Sequence, residues 1–226
     1  MLCSEETLVN SDARQGVAVT LRCKRWSCEI CRPFNKRAVV RKAVEGRPTL
    51  FITLTVNPRH GADQDERARQ LVKAWRTIRR RATKKYRYKS IPFIAVFEKT
   101  KRGEPHLHIL ARCAWLDQRW LSAQASEEID APIVDVRKVT GEKQAACYCA
   151  KYVGKDPHVF RGTKRFWSSL DWLALAATDD LRPALFGDRW IRHRHDLNSV
   201  ERQLIAQGYY TLRTPHKIVF SDEAPP

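Results

Sequence analysis

The apolar positions fall into short, well-bounded runs. Leu50-Phe51-Ile52-Thr53-Leu54-Thr55-Val56 is rich in β-branched residues and lies between Pro48 and Asn57-Pro58, which predicts a strand. Ile91 to Glu98 and His106 to Ala111 predict two more. The link Arg102-Gly103-Glu104-Pro105 has turn chemistry, so these two pair as an antiparallel hairpin. Ala18 to Leu21 and Ile133 to Val136 predict shorter strands. Between Asp63 and Ala82 the period changes: Leu71, Val72, Trp75, Ile78 and Ala82 recur at helical spacing and form one apolar stripe. Helices are also expected over Phe34 to Ala43, Leu116 to Ile129, Leu197 to Gln207 and Glu142 to Val153, the last stopped by Gly154 and Pro157. Strands and helices interleave around a central hairpin. The expected fold is α+β, a central antiparallel sheet flanked by helices.

Composition adds a partner class. Lys and Arg number 42 against 25 Asp and Glu, a net charge of +17, which points to a polyanion, and nucleic acid is the commonest one. The excess is concentrated early in the chain, because residues 161–226 hold ten basic and eight acidic side chains. From Arg69 to Lys89 there are ten basic residues and no acid. A helix with charge of one sign and no neutralising i,i+4 partner suits phosphate contact. Lys73, Arg76, Arg79, Arg80, Arg81, Lys84 and Lys85 are the candidates. The longest apolar run is far short of the roughly 20 residues of a membrane span. The N-terminus, MLCSEETLVNSDARQ, has no apolar core and is read as no signal peptide. The expectation is a cytoplasmic protein that does not engage a membrane.

Three constellations carry chemistry. Cys23-x4-Cys28-x2-Cys31 places three thiols in nine residues, and Cys3 is a candidate fourth. Such spacing in a reducing compartment suits a structural Zn2+. Cys113, Cys147 and Cys149 read as small core fillers. In Pro105-His106-Leu107-His108-Ile109, strand alternation turns His106 and His108 to one face. The hairpin brings Glu98 near their level. Two imidazoles and a carboxylate with open positions suit Mg2+ or Mn2+ acting as a Lewis acid. On the helix Tyr148-Cys149-Ala150-Lys151-Tyr152-Val153-Gly154-Lys155, the side chains of Tyr148, Lys151, Tyr152 and Lys155 share a face. A phenol can attack phosphorus, and a nearby ammonium favours its phenolate over the normal pKa of about 10.

FITLT (51–55), PHLHI (105–109) and YCAKYVGK (148–155), in that order, resemble the motifs of rolling-circle replication initiators of the HUH endonuclease superfamily. The paired tyrosines are most similar to those of replication proteins from small single-stranded DNA phages and plasmids. The resemblance covers roughly residues 20–170 and implies an RRM-like catalytic sheet. It implies an enzyme that nicks and rejoins one DNA strand at an origin, leaving a 5′-phosphotyrosine link and a free 3′-OH that primes replication. His106, His108 and Glu98 correspond to metal ligands, Tyr148 and Tyr152 to nucleophiles, and Lys151 to their helper; Lys155 joins the DNA-binding set. The implied partners are single-stranded DNA or an origin hairpin, with a host helicase and DNA polymerase. No GxxxxGK[ST] motif is present, so a helicase must be borrowed. The segment Phe51 to Thr55 reads as core strand.

The expected organisation is an N-terminal strand and Cys-rich zinc segment over 1–47, an endonuclease core over 48–160, and a C-terminal basic and aromatic segment with a helical tail over 161–226. In that tail, Gly162 to Ser169 reads as either a single-strand grip or a basic strand edge, and Arg192-His193-Arg194-His195 as a basic loop. Two other readings of the chain stay open: a transposase of the same superfamily, and a zinc-stabilised nucleic-acid-binding regulator without catalysis.

Overall fold

A computed structural model describes residues 3–11, 14–59, 63–141, 144, 151, 158–173 and 190–224. The chain divides into two compact units, Lys36–Asp179 and the combination of Met1–Asn35 with Asp180–Pro226. The class is α+β: two antiparallel sheets with flanking helices. Among the described residues, no helix is long and apolar enough to cross a membrane.

The strands of the first sheet come from both ends of the sequence. They are β1 (Thr7–Ser11), β2 (Gln15–Thr20), β8 (Ile191–His193), β9 (Tyr210–Thr214) and β10 (Lys217–Ser221), in the order β8-β1-β2-β10-β9. Helix α4 (Leu197–Ala206) covers one face, packing Leu197, Val200 and Leu204 with Val9, Ala18, Ile218 and Phe220. Its amphipathic spacing matches the expected helix, and Asp196 caps it by accepting from Ser199 N. The Arg192-His193 pair, expected in a loop, lies on edge strand β8 instead, because backbone pairing with β1 supplies the order that its polar side chains do not.

The second sheet has the order β6-β3-β5-β4-β7. Its strands are β3 (Leu50–Leu54), β4 (Phe93–Lys99), β5 (Pro105–Ala111), β6 (Val134–Lys138) and β7 (Phe166–Ser168). Two helices, α2 (Gln64–Lys85) and α3 (Gln118–Ile129), cover one face. A third, α1 (Cys31–Glu45), precedes β3 in sequence. Helix α2 begins where the polar pattern allows it to: Asp63 accepts from Glu66 N, acids fill the first turn, and Lys84 and Lys85 the last. Its buried stripe Ala68, Leu71, Ala74, Trp75, Ile78 and Ala82 packs on Leu50, Ile52, Leu54, Ala95, Phe97, Leu107 and Ile109. Those strand residues are one half of each alternating set. The other half, including Thr53, Glu98, His106 and His108, therefore faces the opposite side of the sheet.

The β4–β5 turn is tied to α2 by a bidentate ion pair. Arg67 Nε donates to Glu104 Oε2 at 2.7 Å and Nη2 to Oε1 at 2.9 Å, with side chains only 9% and 17% exposed. Gly103 turns the chain at φ +89, and a Cβ there would meet Gln64 Nε2 at 2.5 Å. The hairpin that carries Glu98 and His106 is thereby held at a fixed height on the sheet.

Candidate active site

The register of the central strands decides which side chains meet. Glu98 lies directly opposite His106 across β4 and β5, and Thr53 directly opposite His108 across β3 and β5. His108 is 5% exposed and is held from two sides. Its Nε2–H donates to Glu98 Oε2 at 2.8 Å, and the Thr53 hydroxyl donates to Nδ1 at 3.1 Å. Phe51 stacks on the imidazole, with centroids 5.5 Å apart and planes 18° from parallel. The His106 ring stands edge-on to that of His108 at 6.2 Å. Burial pulls the His106 pKa below the ordinary imidazole value, against the opposing charge of Glu98. A neutral imidazole is the form that donates a lone pair to a metal.

Glu98, His106 and His108 are thus brought to one sheet face, as strand alternation and the hairpin led us to expect. Thr53 and Phe51 are functional neighbours that the sequence reading assigned to core. The FITLT segment was the available signal. Its meaning becomes visible only once β3 is known to pair with β5, because Thr53 and His108 are 55 residues apart. Tyr148, Tyr152 and Lys155 lie outside the described residues, and Lys151 is exposed.

The cysteines form a second centre. The thiols of Cys3, Cys23, Cys28 and Cys31 all lie within 4.8 Å of one another, the one set of three or more metal-ligand side chains so tightly grouped among the described residues. Cys3 Sγ is 3.3 Å from Cys31 Sγ, and Cys23 Sγ is 3.7 Å from it. Four thiolates about 2.3 Å from a tetrahedral zinc stand roughly 3.8 Å apart, so the cluster could hold a metal ion and is compatible with Zn2+. Burial works to raise the Cys3 thiol, but hydrogen bonds from the Cys23 backbone and from the Cys31, Ser4 and Cys28 side chains outweigh it and bring the pKa to about 7. Burial pushes the Cys31 thiol up to about 12. Cys3 is not at a loose end: Ser4 N donates to Leu21 O and Leu21 N to Glu6 O, anchoring the segment beside β2. Cys113 packs partly buried against the core, and burial pushes its thiol up to about 12.

The basic candidates divide between two sides of α2. Lys73, Arg76, Arg80 and Lys84 are exposed and have no acidic partner among the described residues. Arg79 lies over the Phe93 ring at 4.9 Å. Arg81 turns to α3, where it pairs with Glu127 and Glu128, each at 3.0 Å. Lys85 sits over the Tyr86 and Trp120 rings.

With the strand register and the histidine pair placed, comparison with known proteins identifies the segment. Residues 49–157 match the family model of the replication-associated protein ORF2. The match includes β3 and the Glu98–His106–His108 face, and its bounds extend past both tyrosines. No curated protein and no solved structure matches the chain. A replication-associated domain implies nucleic-acid binding and is consistent with a rolling-circle replication initiator, in line with the motif order of the sequence.

Proposed function

We propose that the protein is a DNA nickase and strand-joining enzyme that initiates rolling-circle replication at an origin in the host cytoplasm. The observation that carries this reading is the convergence of Glu98, His106 and His108 on one sheet face within the replication-associated segment. The donor set fits Mg2+ or Mn2+, with neutral imidazole and carboxylate ligands on one open face. Bound there, the ion supplies Lewis-acid polarisation of the scissile phosphate.

The chain's own residues do the rest. Glu98 and Thr53 hold His108 in one orientation. Tyr148 or Tyr152 attacks phosphorus through its phenolate oxygen, the P–O3′ bond breaks, and the 3′ oxygen takes up a proton. The products are a 5′-phosphotyrosine and a free 3′-OH; joining runs the same step backwards. Lys151 stabilises the phenolate, and Lys155 contacts the DNA. The two tyrosines alternate, so that a regenerated origin is cut while the first 5′ end is still held. The four-cysteine cluster holds a structural Zn2+. The substrate is single-stranded DNA or an origin hairpin, and a host helicase and polymerase extend the product.

The test is nicking of single-stranded circular phage DNA in Mn2+ by the parent protein and by His106→Ala and His108→Ala variants. The parent should nick, and each variant should lose nicking while retaining DNA binding. Parent-level nicking by the double variant would refute the assignment.

A further inference from the structure

Beside helix α2, on the face of the sheet opposite Glu98, His106 and His108, runs a groove that the proposed chemistry does not use. One wall is α2. The other is the segment from Gly162 to Asp171, which includes edge strand β7. A cavity of about 1020 Å3 continues into a second of about 410 Å3, the two sharing Arg76, Trp167 and Ser168. Lys73, Arg76, Arg80 and Lys84 line the helix wall at spacings of three and four residues, one stripe along about 17 Å of helix. Arg79, Arg87 and Lys89 add to that side, and Lys164 stands on the opposite wall. Asp171 is the lone acid in the lining.

The groove offers charge rather than stacking surface. Phe93 is 5% exposed, and the Arg79 guanidinium covers its ring. Trp167 packs on Phe97 with centroids 5.6 Å apart. The Tyr88 hydroxyl is engaged by the backbone of Trp115. Single-strand grooves rely on exposed aromatic platforms for successive bases, and none is available here. A straight row of cations on a rigid helix matches the regular phosphates of a duplex strand, about 3.4 Å apart along the axis.

We infer that the α2–β7 groove is a docking site for the phosphate backbone of double-stranded DNA, separate from the face where a strand is cut. The inference rests on the reading of the chain as a DNA-processing protein. It adds that the enzyme holds uncut duplex and cleaved strand on opposite faces of one sheet. Contacts here go to phosphate, so the groove fixes position and carries no base readout.

The probes are a fluorescein-labelled 20-base-pair duplex of mixed sequence and a labelled dT20 strand, followed by anisotropy between 50 and 200 mM NaCl. The triple variant Arg76→Ala, Arg80→Ala, Lys84→Ala changes only exposed side chains. It should weaken duplex binding at least tenfold and flatten the log–log salt dependence by about 2.7, at roughly 0.9 per lost phosphate contact. The dT20 affinity should fall much less. Lys164→Glu, on the other wall, should also weaken duplex binding, whereas a bare helix face would leave this variant unaffected. Matching thermal melts of variants and parent establish that the fold is retained. Unchanged duplex affinity in the triple variant, no effect of Lys164→Glu, or a dT20 loss as large as the duplex loss would each overturn the inference. Failure of the parent to nick single-stranded DNA, with the duplex results as expected, would sink the nicking reading and leave the groove standing.

Discussion

Thr53 holds a position whose removal should be felt in metal binding rather than in folding. Thr53→Val keeps the β-branched shape and the strand preference of the site while deleting the one hydroxyl that reaches His108 Nδ1, at 3.1 Å. In the proposed metal-bound form Nε2 faces the ion, so Nδ1–H must donate to Thr53 Oγ1. With His108 only 5% exposed, no solvent replaces that acceptor. An unsatisfied buried polar group costs about 1–3 kcal/mol, which at about 1.4 kcal/mol per decade is roughly a five- to 150-fold bias against the productive orientation. The same range, about 10- to 100-fold in metal affinity, is typical when the outer partner of a ligating histidine is lost. The assay is nicking rate against Mn2+ concentration, with direct Mn2+ binding followed by electron paramagnetic resonance. Thr53→Val should move half-saturation upward by one to two decades while the rate at saturating metal recovers. Thr53→Ser, which keeps the hydroxyl, should behave like the parent. If Thr53→Val titrated with the parent's metal dependence, the hydrogen bond would have no orienting role and the argument would fall.

Two further outcomes follow from other parts of the molecule. Purified protein should retain about one zinc after Mg2+ is removed, and Cys28→Ser should lower zinc content and melting temperature together; folded, zinc-free protein from zinc-replete growth would contradict the cluster's assignment. Arg67→Ala should destabilise by about 3–5 kcal/mol in denaturant unfolding, because Glu104 is left charged, largely buried and unpaired. The double variant Arg67→Met, Glu104→Leu should recover much of that loss, and a single-variant cost under about 1 kcal/mol would show that water reaches the pair.

The central sheet and α2 were legible because their signals are local. β3, β4 and β5 are apolar runs bounded by turn residues, and the α2 stripe repeats at 3.6 residues over five turns. The His pair and Glu98 came from the same logic, alternation plus a hairpin turn. The strands β1, β8, β9 and β10 were missed for a physical reason. They are short, β9 is almost wholly exposed, and their ordering comes from pairing between opposite ends of the chain. No window of sequence contains that information. Cys3 illustrates the consequence: beside a polar N-terminus its position looked loose, yet pairing of β1 with β2 places it against Cys31. The split of the basic run was equally hidden. Arg80 and Arg81 are adjacent in sequence, but one helical step turns Arg80 to the groove and Arg81 to the acids of α3.

The central claim is that a tyrosine of this chain becomes covalently joined to DNA, and it is tested by SDS electrophoresis of protein incubated with labelled single-stranded circular phage DNA and Mn2+, followed by mass spectrometry of the adducted peptide. The parent should give an SDS-stable adduct on the peptide holding Tyr148 and Tyr152. Tyr148→Phe and Tyr152→Phe should each still form it, and the double variant should form none. An adduct undiminished in the double variant, or no adduct from the parent despite efficient nicking, would contradict the account.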